Sequence, residues 1–128
     1  MMLADSDVLI DFLRGKGPGV ERIRLELGTG RLHTTAINAF ELVSGAKSSK
    51  DQEKVATLVA ALHVLPFDLA AAERAAHVRR DLEGQGNGIG TADYLIAGIC
   101  LAHGATLLTG NTKHFERVPG LKLSGRYQ

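Results

Sequence analysis

A single cysteine among 128 residues leaves no possibility of an internal disulfide. Cys100 sits in the apolar run Leu95–Ala102 and lacks a CxxC partner, which marks it as a buried structural thiol. No apolar run approaches the roughly 18 residues that a membrane span needs. No basic segment followed by a long apolar stretch is visible near the N-terminus, so no signal peptide is expected and the expected location is cytoplasmic. Internal repeats and low-complexity tracts are also missing. Neither sign of charge dominates: the net charge is +1 and the pI is near 8.0. That balance neither requires nor excludes nucleic acid, because basic patches can flank an acidic cleft. Gly86, Gly88 and Gly90 alternate, but no Gly-Lys-Ser/Thr follows them, which excludes a P-loop. His33, His63, His77, His103 and His114 are scattered without zinc-binding spacing. No nucleophile–histidine pair supports acyl transfer.

What remains is an ordinary globular composition, 45% hydrophobic and 23% charged, of a length expected for one domain over residues 1–128. Only the last residues, Ser124 to Gln128, look disordered. Short apolar runs alternate with longer periodic segments, the pattern of an α/β fold. Strands are expected at Met2–Ala4, Arg31–His33, His63–Pro66, Ala105–Thr109 and Leu121–Leu123. Helices are expected over Asp5–Arg14, Val20–Leu27, a segment from Thr34 or Thr35 to about Gly45, Asp51–Leu62, Leu69–Glu83 capped by Asp68, and a segment from a Thr91 cap to Ala102. A short helical turn is expected at Lys113–Arg117. His33 and His63 read as packing residues of strands, His77 and His103 as helix-surface or helix-end residues.

Four polar positions stand out in this pattern: Asp5, Glu41, Asp93 and Asn111. Asp5 and Asn111 directly follow strands, and Glu41 and Asp93 lie in helices entered from strand ends or loops. In open parallel sheets, ligands collect outside the carboxyl ends of the strands. Each position also has a plain structural role available. Asp5 can cap a helix, and Asp93 in a first turn complements the helix dipole. Glu41 has Ile37, Phe40, Leu42 and Val43 around it, a costly setting for a carboxylate that is neither paired nor metal-bound. Gathered together, the four would form an oxygen-rich pocket suited to Mg²⁺ or Mn²⁺. A metal so held generates hydroxide from water near neutral pH and orients a phosphate, so the natural chemistry is phosphodiester hydrolysis. Arg14, Lys16, Lys47, Lys50, Arg79, Arg80 and Lys113 are candidate phosphate contacts.

The stretches Asp5-Ser6-Asp7-Val8-Leu9-Ile10-Asp11, Glu41 after a Thr-rich strand end, Ile89-Gly90-x-x-Asp93-x-Leu95-Ile96-Ala97 and Leu107-Leu108-Thr109-x-Asn111 with His114-Phe115 resemble the PIN-domain nucleases. The similarity runs from Met2 to about Leu123, and Phe115–Leu121 is typical of the VapC-type toxins of toxin–antitoxin pairs. The resemblance implies a three-layer α/β sandwich with a central parallel sheet of about five strands flanked by helices. It implies endonucleolytic RNA cleavage by a metal-activated water. Asp5, Glu41 and Asp93 would be the acidic triad holding Mg²⁺, with Mn²⁺ as a substitute, and Asn111 the fourth site residue. It further implies a VapB-type antitoxin as partner and a homodimer, whose seam would be any exposed apolar face on the first helices.

Many members carry Asp at the fourth position. Asn111 brings a carbonyl oxygen but no charge, which weakens the case for a second tightly held metal. Ser6 is a candidate to hydrogen-bond a metal-bound water and Thr109 to hold Asn111 in position, while Asp7 is expected to cap the helix or face solvent. Two other readings compete. Asp5-Ser6-Asp7 mimics the paired aspartates of haloacid-dehalogenase-type phosphatases. That family wants Thr or Val where Leu9 stands, and a later Asp-Asp pair that this chain lacks. The other is a catalytically weak or inactive PIN scaffold that binds RNA or a partner protein.

Overall fold

The computed structural model describes residues 1–124. The remainder of the expected disordered tail, residues 125–128, lies outside the described residues. Five short strands, β1 (Met2–Ala4), β2 (Leu32–Thr35), β3 (His63–Leu65), β4 (Thr106–Leu108) and β5 (Lys122–Leu123), form one parallel sheet in the order β3-β2-β1-β4-β5. Among the described residues, seven helices accompany them: α1 (Ser6–Arg14), α2 (Val20–Gly28), α3 (Ala36–Gly45), α4 (Ser49–Ala61), α5 (Leu69–Gly84), α6 (Thr91–His103) and α7 (Thr112–Phe115).

The strand alternation sorts side chains onto two faces. Leu3 of β1 and Leu107 of β4 are paired in register and share a core with Val78 and Leu82 of α5 and Ile96 and Ile99 of α6. Ala4 and Leu108, the next pair, turn the other way and meet Val8 and Leu9 of α1, Ile23 of α2 and Val55 and Leu58 of α4. Both sheet faces are therefore covered, as an all-parallel sheet requires. The expected three-layer α/β sandwich is the observed one.

Several boundaries differ from the sequence reading. The α6 helix is capped by Gly90 rather than Thr91. Gly90 has φ +101°, a left-handed conformation that L side chains rarely adopt, so the entry to the helix that carries Asp93 depends on glycine. Ser48 caps α4, which begins before Asp51, through a 3.1 Å bond from the Asp51 amide. His63 is exposed because β3 is an edge strand, and its ring packs against that of His33 with centroids 4.9 Å apart. The closest helix approach is α5 on α6. A Cβ on Gly98 would stand 2.5 Å from the Ala71 carbonyl oxygen and 2.7 Å from the Ala75 Cβ. Cys100 is fully buried, and burial pushes its thiol up to about 12. No described helix is long and apolar enough to cross a membrane.

Candidate active site

Chain order reverses around β1, which lies between β2 and β4, and the crevice outside the carboxyl ends of β1 and β4 is where such sheets bind ligands. Asp5 follows β1 there. Its backbone amide donates to the Leu108 carbonyl of β4 at 2.9 Å, which fixes the residue against the neighbouring strand. Its side chain is 7% exposed. One carboxylate oxygen accepts from the Ser6 amide at 2.8 Å and from Asn38 Nδ2 at 2.9 Å. The other accepts from the Thr109 hydroxyl at 2.7 Å. Burial raises the Asp5 carboxyl to about 6, although the Thr109, Ser6 and Asn38 donors pull it down and the Asp7 carboxylate adds repulsion. No described Lys, Arg or His is paired with Asp5.

Thr109 joins two halves of the site. While its hydroxyl donates to Asp5, its oxygen accepts the Asn111 amide at 3.0 Å. In the first half, Glu41 of α3 accepts the Ser6 hydroxyl at 2.6 Å, and Asn38 Nδ2 donates to the same Ser6 oxygen at 2.8 Å. In the second half, Asp93 Oδ2 receives His114 Nδ1 at 2.8 Å and Asn111 Nδ2 at 3.4 Å. A carboxylate only accepts, so the His114 Nδ1 carries a proton and donates. Asp93 lies in the first turn of α6, where the helix dipole also favours its charge.

The four sequence-singled residues thus belong to one hydrogen-bonded assembly built from β1, α3, α6 and the loop after β4. Both Asp5 oxygens, one Glu41 oxygen and one Asp93 oxygen are engaged by protein donors. Among the described residues, no three His, Cys, Asp or Glu side chains converge as a metal-ligating group. The donor chemistry nevertheless fits a hard divalent cation: three carboxylates, one amide, and a buried Asp5 whose charge has no cationic counterpart among the described residues.

Besides Ser6 and Thr109, three further residues shape the site: Asn38, Asp7 and His114. Asn38 is 0% exposed and sits one helical turn before Glu41. The sequence reading passed over it, yet Thr35-x-x-Asn38 has the spacing of a helix-start capping pair, and the Thr35 oxygen does accept the Asn38 amide. Asp7 neither simply caps nor faces solvent. One of its oxygens accepts the Val8 amide at 2.8 Å and the other the Gly110 amide at 2.9 Å, so it tethers the loop that carries Asn111. His114, part of the motif that carries the family resemblance, holds Asp93 directly. Of the candidate phosphate contacts, Arg14 and Lys16 line a groove of about 480 Å³ between α1, α3 and α4, together with Glu41 and with Lys54, which the sequence reading did not select.

Residues 2–121 match the PIN domain. The chain belongs to the PIN-domain family. Its sequence is 32% identical over 124 residues to a tRNA(fMet)-specific endonuclease VapC of Shigella flexneri, covering 94% of this chain and 93% of that protein. It is 34% identical over 122 residues to ribonuclease VapC10 of Mycobacterium tuberculosis, covering 95% and 91%. In structure it is similar to VapBC2 from Rickettsia felis bound to a DNA fragment from its promoter, with TM-score 0.85 at 26% identity and 96% of each chain covered. It is likewise similar to DNA-bound VapBC from Salmonella typhimurium, with TM-score 0.80 at 27% identity and 96% of each chain covered. The resemblance to VapC-type PIN nucleases read from the sequence holds.

Proposed function

We propose that the protein is the toxin of a toxin–antitoxin pair and a metal-dependent endoribonuclease that hydrolyses RNA phosphodiester bonds. The observation that carries this is Asp5: a carboxylate buried at the crevice beside β1 and β4, without a paired cation among the described residues, in one network with Glu41 and Asp93. Asp5, Asp93 and Glu41 would hold Mg²⁺ or Mn²⁺, with the Asn111 carbonyl oxygen as a neutral fourth donor. When bound, such a cation lowers the pKa of water and neutralises charge on a phosphate. The chain's own residues orient the acids: Thr109 fixes Asp5 and Asn111, Ser6 fixes Glu41, and His114 fixes Asp93. Arg14, Lys16 and Lys54 line the groove that runs past Glu41 and would carry the RNA backbone by phosphate contacts.

The partner is a VapB-type antitoxin, supported by the similarity to VapBC structures. Exposed Leu25 on α2, Phe40 and Val43 on α3 and Leu69 at the start of α5 are among the apolar side chains available for a homodimer seam. Residues 1–128 act as one domain, in the cytoplasm. Two of the relatives are tRNA(fMet)-specific endonucleases, so initiator tRNA is the first substrate to try. The test is cleavage of that tRNA and of total cellular RNA by antitoxin-free protein with Mg²⁺ or Mn²⁺, with EDTA, and with Asp93→Asn. Discrete fragments that need metal and vanish in the variant support the nuclease. A folded protein that never cuts would instead be the RNA-binding scaffold, the reading favoured by carboxylates that do not converge.

A further inference from the structure

Asn38 has every polar atom of its side chain used, and the direction of each bond is forced. Its carbonyl oxygen accepts the Thr35 hydroxyl at 2.7 Å. Its two amide protons go to Asp5 Oδ1 at 2.9 Å and to the Ser6 oxygen at 2.8 Å. The nitrogen must face Asp5, because an ionised carboxylate cannot donate. The Ser6 oxygen, accepting a hydrogen bond from Asn38, donates its own O–H to Glu41 at 2.6 Å. A one-way chain of donors therefore starts at Thr35 and ends on two carboxylates that come from different elements, Asp5 after β1 and Glu41 from α3. Bonds to ionised acceptors in a buried setting are the strong kind. One amide thereby sets where both acids stand, directly for Asp5 and through Ser6 for Glu41.

We propose that Asn38 is a positioning residue that fixes the spacing of Asp5 and Glu41 for the divalent cation. A residue that only filled the core would need none of this directionality, and an apolar side chain would pack there at lower desolvation cost. The inference rests on the nuclease reading above.

Asn38→Ala tests it with three measurements on purified, antitoxin-free protein. Thermal unfolding establishes that the variant is folded. Calorimetric titration with Mn²⁺ alone reads the site without any RNA. Initial rates on the RNA that the wild type cuts separate kcat from KM. Outer-shell partners of metal ligands are typically worth about 10–100-fold in affinity or activity. The folded variant is expected to bind Mn²⁺ at least about tenfold more weakly and to lose kcat by a similar factor, with KM little changed. A folded Asn38→Ala with wild-type Mn²⁺ affinity overturns the proposal. Should Asn38→Ala fail to fold, Ser6→Ala cuts the same donor chain at its half-buried link, and there a several-fold loss of Mn²⁺ affinity supports the proposal while wild-type affinity overturns it. A wild-type protein that neither binds Mn²⁺ nor cuts RNA would defeat the nuclease reading itself, a result visible before any variant is made.

Discussion

Replacing Asp5 with Asn should stabilise the metal-free protein at neutral pH while abolishing RNA cleavage. The Asp5 carboxyl rises from its ordinary 3.8 to about 6, with burial as the leading cause. That rise of about 2.2 corresponds to about 3 kcal/mol by which the folded state disfavours the ionised form at pH 7 and above. The amide is uncharged and nearly the same shape, so it escapes that cost. It presents N–H₂ where Thr109 now donates, and the hydroxyl must turn, at about 1 kcal/mol. The net gain is about 2 kcal/mol, or about 7 °C in Tm for a chain of this length. Its pH dependence is distinctive. Between pH 3.8 and about 6 the folded state retains a proton that the unfolded state has released, so wild-type stability falls by about 1.4 kcal/mol per pH unit as pH rises through that window. The variant lacks this slope. In EDTA, urea melts at pH 4 should show the variant no more stable than wild type, and melts at pH 8 should show the full gap. Added Mn²⁺ should then close the gap by stabilising wild type alone. A variant no more stable than wild type at pH 8, or a gap that does not grow with pH, would refute the view that Asp5 is a buried charge awaiting a cation.

Gly98→Ala forces a methyl group into the Ala71 carbonyl across the α5–α6 contact and should cost about 1–3 kcal/mol or more in chemical denaturation; an unchanged midpoint would show that the helices part freely. Asp7→Ala releases the Gly110 amide and should lower kcat several-fold with less than about 1 kcal/mol change in stability, and unaltered kinetics would mean that the loop needs no tether. Phe40→Lys places a charge on the exposed apolar face of α3 and should convert dimer to monomer in analytical ultracentrifugation at micromolar concentration; a dimer that persists puts the seam elsewhere.

The strand-and-helix alternation was legible because each short apolar run is bounded by capping or turn residues, and because Asp5 and Asn111 sit where strands end. Glycine at the start of α6 was misread since Thr91 is the better side-chain cap in isolation. The requirement there is a left-handed backbone that only the fold imposes. Asn38 was missed because its neighbours are apolar and one buried amide leaves no periodic trace. The pairing of Thr35 with Asn38 and of Asn38 with Glu41, each three residues apart, was the available signal. Lys54 lines the groove because the fold sets α4 beside α1 and α3, a tertiary arrangement that local pattern does not encode. The exposure of His63 likewise follows from β3 lying at the sheet edge, which strand order alone decides.

The register of β1 with β4 has a consequence for when the chain can become dangerous. Asp5 leaves the ribosome well before Thr109, which lies 104 residues later and, with Asn111, completes its surroundings. A nascent chain that stops short of β4 already contains all three acids but has no strand to receive the Asp5 amide and no hydroxyl to hold its carboxylate. Pairing across that sequence separation is also entropically slow. Synthesis order thus withholds the completed surroundings of Asp5 until β4 and the loop after it have emerged.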